Sequence, residues 1–124
     1  MSSEVCELLE RARRYGDWVE IEEVLIEDLD PVRDWDDYRA LLHRDIPQAL
    51  RKVLGECAEI LGLYHLKDEL CLPEYVAELS FSGNVYTAEL DVCVDAEVSE
   101  VTLLAVRLTP GLAPAGLLAH YHAV

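Results

Sequence analysis

Two histidines spaced one residue apart, His120 and His122, are the first residues whose types and spacing suggest chemistry. On a strand, side chains at i and i+2 share one side with Cα atoms roughly 6.5 to 7 Å apart, near enough for two imidazoles to converge on one metal ion. Glu89 or Asp91, on the outward face of a sheet, would then complete a two-histidine, one-carboxylate set. The same segment also reads as a helix begun near Pro114, with Leu117, Leu118, Tyr121 and Val124 on one face, and that reading disperses the pair. Histidines placed so are also ordinary surface residues, so neither a metal nor any other cofactor is assigned.

Carboxylates make the second group. Glu27, Asp28, Asp30, Asp34, Asp36 and Asp37 fall within eleven residues. Counted from Asp28, the sixth and twelfth positions are Arg33 and Arg39, where a calcium loop of the EF-hand type needs glycine and glutamate. The run therefore reads as a solvated loop leading into a helix capped by Asp34 or Asp36, or as a docking patch for a basic partner. A third group, Glu78, Glu89, Asp91 and Asp95, lies on the polar side of two adjacent strands. There Glu78 is expected to face Glu89, a like-charge pair that a ladder tolerates only when water or a cationic surface covers it.

Several common chemistries are excluded. The glycines at 16, 55, 62, 83, 111 and 116 match neither a dinucleotide fingerprint nor a phosphate loop, and no HExxH motif or nucleophile–base arrangement occurs. A generic pocket using Tyr86, Tyr121 or His65 for proton transfer has no spacing that demands it. Cys6, Cys57, Cys71 and Cys93 include no CxxC pair, so they read as buried free thiols, with a disulfide expected only in a hyperthermophile.

The net charge of −15 is uneven: residues 1–37 carry thirteen acids and four bases, residues 38–72 five of each, and residues 73–124 seven acids and one base. A field of this sign repels phosphate backbones and attracts basic protein surfaces, besides favouring solubility. Direct nucleic-acid binding is therefore not expected. No apolar run is long enough to span a membrane and the first residues lack a signal-peptide core, so a cytoplasmic protein is expected.

The elements that must position these groups follow from periodicity. Tyr75 to Ala96 reads as a hairpin turning at Gly83-Asn84, with Phe81 opposite Tyr86, Leu79 opposite Ala88, Ala77 opposite Leu90 and Tyr75 opposite Val92. Val101 to Thr109 is a third strand, apolar on nearly both sides. Ser2 or Ser3 caps a helix that runs to about Tyr15, and Trp18 to Leu29 fits a strand better than a helix. From Asp37 an apolar stripe continues in phase past Pro47 to Leu61 and stops at Gly62, which describes either one long kinked helix or two abutting ones.

The expected fold is α+β, one domain over 1–124, with a helical half over roughly 1–72. The antiparallel β-meander of three to four strands, over roughly 73–124, is packed on one face by the N-terminal helix and the kinked helix. The apolar third strand and the PGLAPAG loop predict a homodimer. The expected function is that of a non-enzymatic adaptor or inhibitor whose acidic surfaces dock on a basic protein. The alternative is a small-molecule or metal-dependent enzyme using His120, His122 and the acids of the sheet face.

Overall fold

Apolar residues at three- and four-residue spacing form helix α1 (Ser3–Tyr15) in the computed structural model, which describes residues 3–68 and 70–124. This helix buries Val5, Leu8, Leu9 and Ala12 and ends at Gly16, whose positive φ turns its amide back onto the Ala12 carbonyl. Ser2, one of the two expected caps, lies outside the described residues, as does the side chain of Ser3. The β-branched run that follows is strand β1 (Val19–Ile26), as its composition predicts.

The stripe across Pro47 is helical but neither uniform nor as long as expected. Helix α2 (Trp35–Ala40) passes into a wider π-helical turn over Leu41–Asp45 and then into α3 (Ile46–Leu54). Ile46 donates its amide to the Leu41 carbonyl; the next such bond would need an amide hydrogen on Pro47, which has none. The Leu42 carbonyl left over accepts instead from the buried phenol of Tyr75, 2.5 Å away. The helix stops at Leu54 rather than Gly62, because Glu59–Leu66 is strand β2, held by pairing with its neighbour. Gly62 sits at a bulge in that strand, where a Cβ would meet the Tyr64 hydroxyl at 2.6 Å.

The described residues build one antiparallel sheet of six strands rather than three to four, in the order β1-β5-β4-β3-β2-β6. Strands β2, β3 (Tyr75–Phe81), β4 (Asn84–Asp95) and β5 (Glu100–Pro110) form a meander, with β1 added beside β5 and β6 (Tyr121–Ala123) beside β2. The hairpin turns one residue earlier than expected. Ser82 and Gly83 are the central residues, both with positive φ, and Asn84 already pairs with Phe81. Each partner thus moves by two: Leu79 faces Tyr86, Ala77 faces Ala88 and Tyr75 faces Leu90. A two-residue shift keeps every side chain on its face, which is why the apolar side is the one expected.

Both helical segments cover that side. Leu8, Leu9, Ile46, Leu50 and Leu54 meet Leu63, Tyr75, Leu79, Leu90, Val101, Leu103 and Val106 in the main core. The third strand owes its two-sided apolar character to a bulge at Leu104, since the core-facing series changes phase from Val101 and Leu103 to Val106 and Leu108. On the opposite side, the segment after Gly111 with helix α4 (Ala115–Leu118) lies over the sheet. There Ala113, Leu117 and Leu118 pack against Leu66, Val76 and Tyr121. Part of the apolar surface that suggested a dimer is covered in this way, whereas Leu112 remains exposed.

Cys6 and Cys57, a Cα distance of 5.4 Å apart, form a disulfide that ties α1 to the turn after α3. Cys71 and Cys93 are free and exposed. Buried free thiols are therefore found at none of the four positions, and the bond is one that the cytosol of most organisms would reduce. No helix among the described residues is long and apolar enough to cross a membrane.

Candidate functional site

The loop between β1 and α2 folds by short-range capping. Asp34 takes the extended conformation of an N-cap, and its carboxylate accepts the Asp37 amide at 2.9 Å, while Asp37 accepts the Arg33 amide at 3.1 Å. Asp28 bends the chain with positive φ, and the Leu29 amide, bonded to the Ser99 carbonyl, anchors the loop to the β4–β5 turn. Glu27, Asp28, Asp30, Asp34, Asp36 and Asp37 are all exposed. Among the described residues Glu27, Asp28, Asp30 and Asp36 have no hydrogen-bonded or ionic side-chain partner. A cleft of about 510 Å³ runs beside them, lined by Leu29, Val32 and Leu41 as well as by Asp28, Asp30 and Asp37.

The sheet-face acids are not one patch. With the register shifted, Glu78 faces Thr87 and Glu89 faces Val76, so the expected like-charge pair does not exist. Glu78 is only 8% exposed, and its two oxygens accept from the Tyr64 hydroxyl at 2.8 Å and the Ala113 amide at 3.0 Å. This bond, with burial, raises the Tyr64 pKa above its ordinary value. Glu89 pairs across the sheet with Arg107, whose guanidinium also lies 5.2 Å from the centre of the Trp18 ring. Asp91 and Asp95 remain exposed, the latter accepting the Glu97 amide in the following turn. The acids of this face are thus split between interior hydrogen bonding, a cross-strand ion pair and solvent.

The histidines part company. The C-terminal segment is first helix and then strand, so each reading of it holds for half its length. His120 lies before the strand, with Nδ1 3.4 Å from Asp68, whereas His122 is on β6 directly opposite His65 of β2. The expected His120, His122 and sheet-carboxylate set is therefore not assembled. His122 instead meets His65 and His43, the latter presented by the π-helical turn, with ring nitrogens of all three within 4.8 Å of one another. His43 Nε2 stands 3.2 Å from His65 Nδ1, and His65 Nε2 stands 3.3 Å from a Glu74 carboxylate oxygen. The rings of His43 and His122 meet edge to face, and that of His65 leans against Tyr75.

The environment around this cluster favours neutral rings at His43. Burial lowers its pKa, helped by the neighbouring His65, His122 and Arg39. Burial also raises the phenol of Tyr75 far above its ordinary value and that of Tyr121 to about 12, so both stay protonated donors to the carbonyls of Leu42 and Pro73. Separations of 22 and 57 residues between the clustered histidines form no motif, and the one local hint is Pro47, four residues after His43, where a regular helix must yield. No family model, curated protein or solved structure matches the chain.

Proposed function

We propose that this protein is an interaction domain that docks a basic protein partner on the loop between β1 and α2. The observation that carries this reading is the exposure of Trp35, 62%, beside exposed Val32 and Tyr38 and among the carboxylates. Large apolar side chains left in water amid a rim of charge are the composition of an interface centre, and Trp and Tyr are residue types that dominate binding energy when covered. Glu27, Asp28, Asp30 and Asp36 supply unpartnered negative charge for steering, while Asp34 and Asp37 hold the loop in shape. Of the four expected sheet-face acids, Glu78 and Glu89 are already bonded within the chain, which leaves Asp91 and Asp95 exposed there and makes the loop the denser acidic surface.

A fluorophore-labelled lysine-rich peptide titrated with the protein and followed by its anisotropy tests the reading. The triple variant Glu27→Gln, Asp30→Asn, Asp36→Asn is expected to slow association several-fold, and Trp35→Ala to speed dissociation. A control variant, Asp91→Asn with Asp95→Asn, removes charge from the sheet face instead. Equal losses in the loop variant and this control would mean that the peptide senses only the overall field, and the docking reading would then be abandoned.

A further inference from the structure

We propose that His43, His65 and His122 form a binding site for a divalent transition-metal ion of the zinc class. Three elements remote in sequence deliver the rings: the π-helical turn, an inner strand of the sheet, and the last edge strand. Pairing of β2 with β6 sets His65 and His122 side by side, and the turn at Pro47 places His43 over them. Two nitrogens bound to one tetrahedral ion at about 2.0 to 2.1 Å lie about 3.3 Å apart. His43 Nε2 and His65 Nδ1 are already separated by 3.2 Å. His122 is exposed, so its ring can rotate to close the remaining gap.

The donor chemistry fits as well as the distance. A carboxylate only accepts at neutral pH, so Glu74 draws the proton of His65 to Nε2 and leaves a lone pair on Nδ1, pointing at His43. Such a carboxylate behind a histidine ligand is the usual outer partner in metal sites, where it fixes the tautomer and strengthens the donor. Without an ion, His43 can satisfy that lone pair by donating from Nε2; an ion replaces this hydrogen bond once the His43 proton has moved to Nδ1. An all-imidazole set selects zinc, copper, nickel or cobalt over calcium and magnesium, which prefer oxygen. Three protein ligands leave a fourth position for water, on the side where His122 meets solvent.

An ion here would also join parts of the molecule that otherwise touch lightly. Strand β6 is three residues long and is held by its pairing with Tyr64–Leu66, by the Val124 amide on Leu63 and by Arg51 on the Val124 carbonyl. A bond from His122 to a shared ion pins it to the helical layer as well. Binding should therefore slow amide exchange in Tyr121–Ala123 relative to β4, and it should shift the folding equilibrium about 100-fold at a free-metal concentration 100 times Kd.

The test uses the disulfide-bonded protein with Cys71→Ser and Cys93→Ser, which removes the two free thiols as competing ligands. Zinc alone is titrated calorimetrically, and cobalt alone is followed by its visible ligand-field bands. The expected result is one equivalent bound, unaffected by excess magnesium, with affinity reduced at least tenfold in His122→Ala and about 10- to 100-fold in Glu74→Gln. His122 is exposed, so His122→Ala should fold even if His65→Ala does not. His120→Ala serves as the control and should bind as the parent does. Absence of stoichiometric binding at micromolar zinc overturns the proposal, as does binding that His122→Ala leaves intact or that His120→Ala weakens equally.

Discussion

The acidic loop and the histidine cluster are built in opposite ways. Side-chain contacts within the loop join residues three and four positions apart, Asp34 with Asp37 and Arg33 with Asp37, and one backbone bond, from Leu29 to Ser99, ties its start to the β4–β5 turn. The cluster joins His43 to His65 across 22 positions and His65 to His122 across a strand pairing. One region is a local conformation that happens to carry charge, and the other exists only when helix, sheet and C-terminal strand are all in place. Long-range support should therefore matter greatly to the cluster and little to the loop.

The largest effect is expected from the bond that holds the helices together over the sheet. Cys6→Ser with Cys57→Ser should lower stability in urea by about 2 to 4 kcal/mol, since the cross-link restricts the unfolded chain. In the folded fraction, the His43 and His65 imidazole resonances should shift more than the amides of Asp34 to Asp37. Equal shifts in both regions would erase the distinction.

Tyr75→Phe is the next sharpest probe, because it removes the donor to the Leu42 carbonyl that Pro47 leaves unpaired. A buried acceptor without a partner costs about 1 to 3 kcal/mol, and exchange should quicken through Leu41–Asp45 ahead of α2. Unchanged exchange in that turn would show that Tyr75 only fills space.

On the loop side, Asp34→Ala should cost about 0.5 to 2 kcal/mol of stability through the lost cap, and Asp34→Asn much less. The cluster again supplies the contrast, now in its response to pH. Folded His43 holds a proton less readily than the unfolded chain, whose ordinary value is 6.5. The unfolded state therefore binds more protons as pH falls through 6.5, and stability declines until the lower folded pKa is passed. Metal-free parent protein should show this decline in a pH series of unfolding curves, and His43→Gln should show a shallower one. Parallel curves would remove His43 as its source.

The smallest effect belongs to Asp36→Asn, which changes an exposed residue without a side-chain partner among the described ones. A change within about 0.5 kcal/mol is expected. A larger loss, read in the same urea curves, would mean that the loop carries structural load at Asp36 after all.

By itself the sequence determined whatever rests on neighbours along the chain. The alternation of Tyr75, Ala77, Leu79 and Phe81 set the buried face of the hairpin, and the clustered aspartates before Trp35 set a capped helix start. Both follow from backbone geometry over two to four residues. The turn at Ser82-Gly83 escaped because a two-residue shift leaves alternation unchanged, so only packing of whole strands could choose between registers. The polar face looked wet from sequence and became partly covered because the segment after Gly111 returns across it, burying Glu78 under Ala113. The meeting of His43, His65 and His122 was decided latest of all. It needs the strand order, the bulge at Gly62 and the π-helical turn together, and none of these is written in the spacing of the histidines.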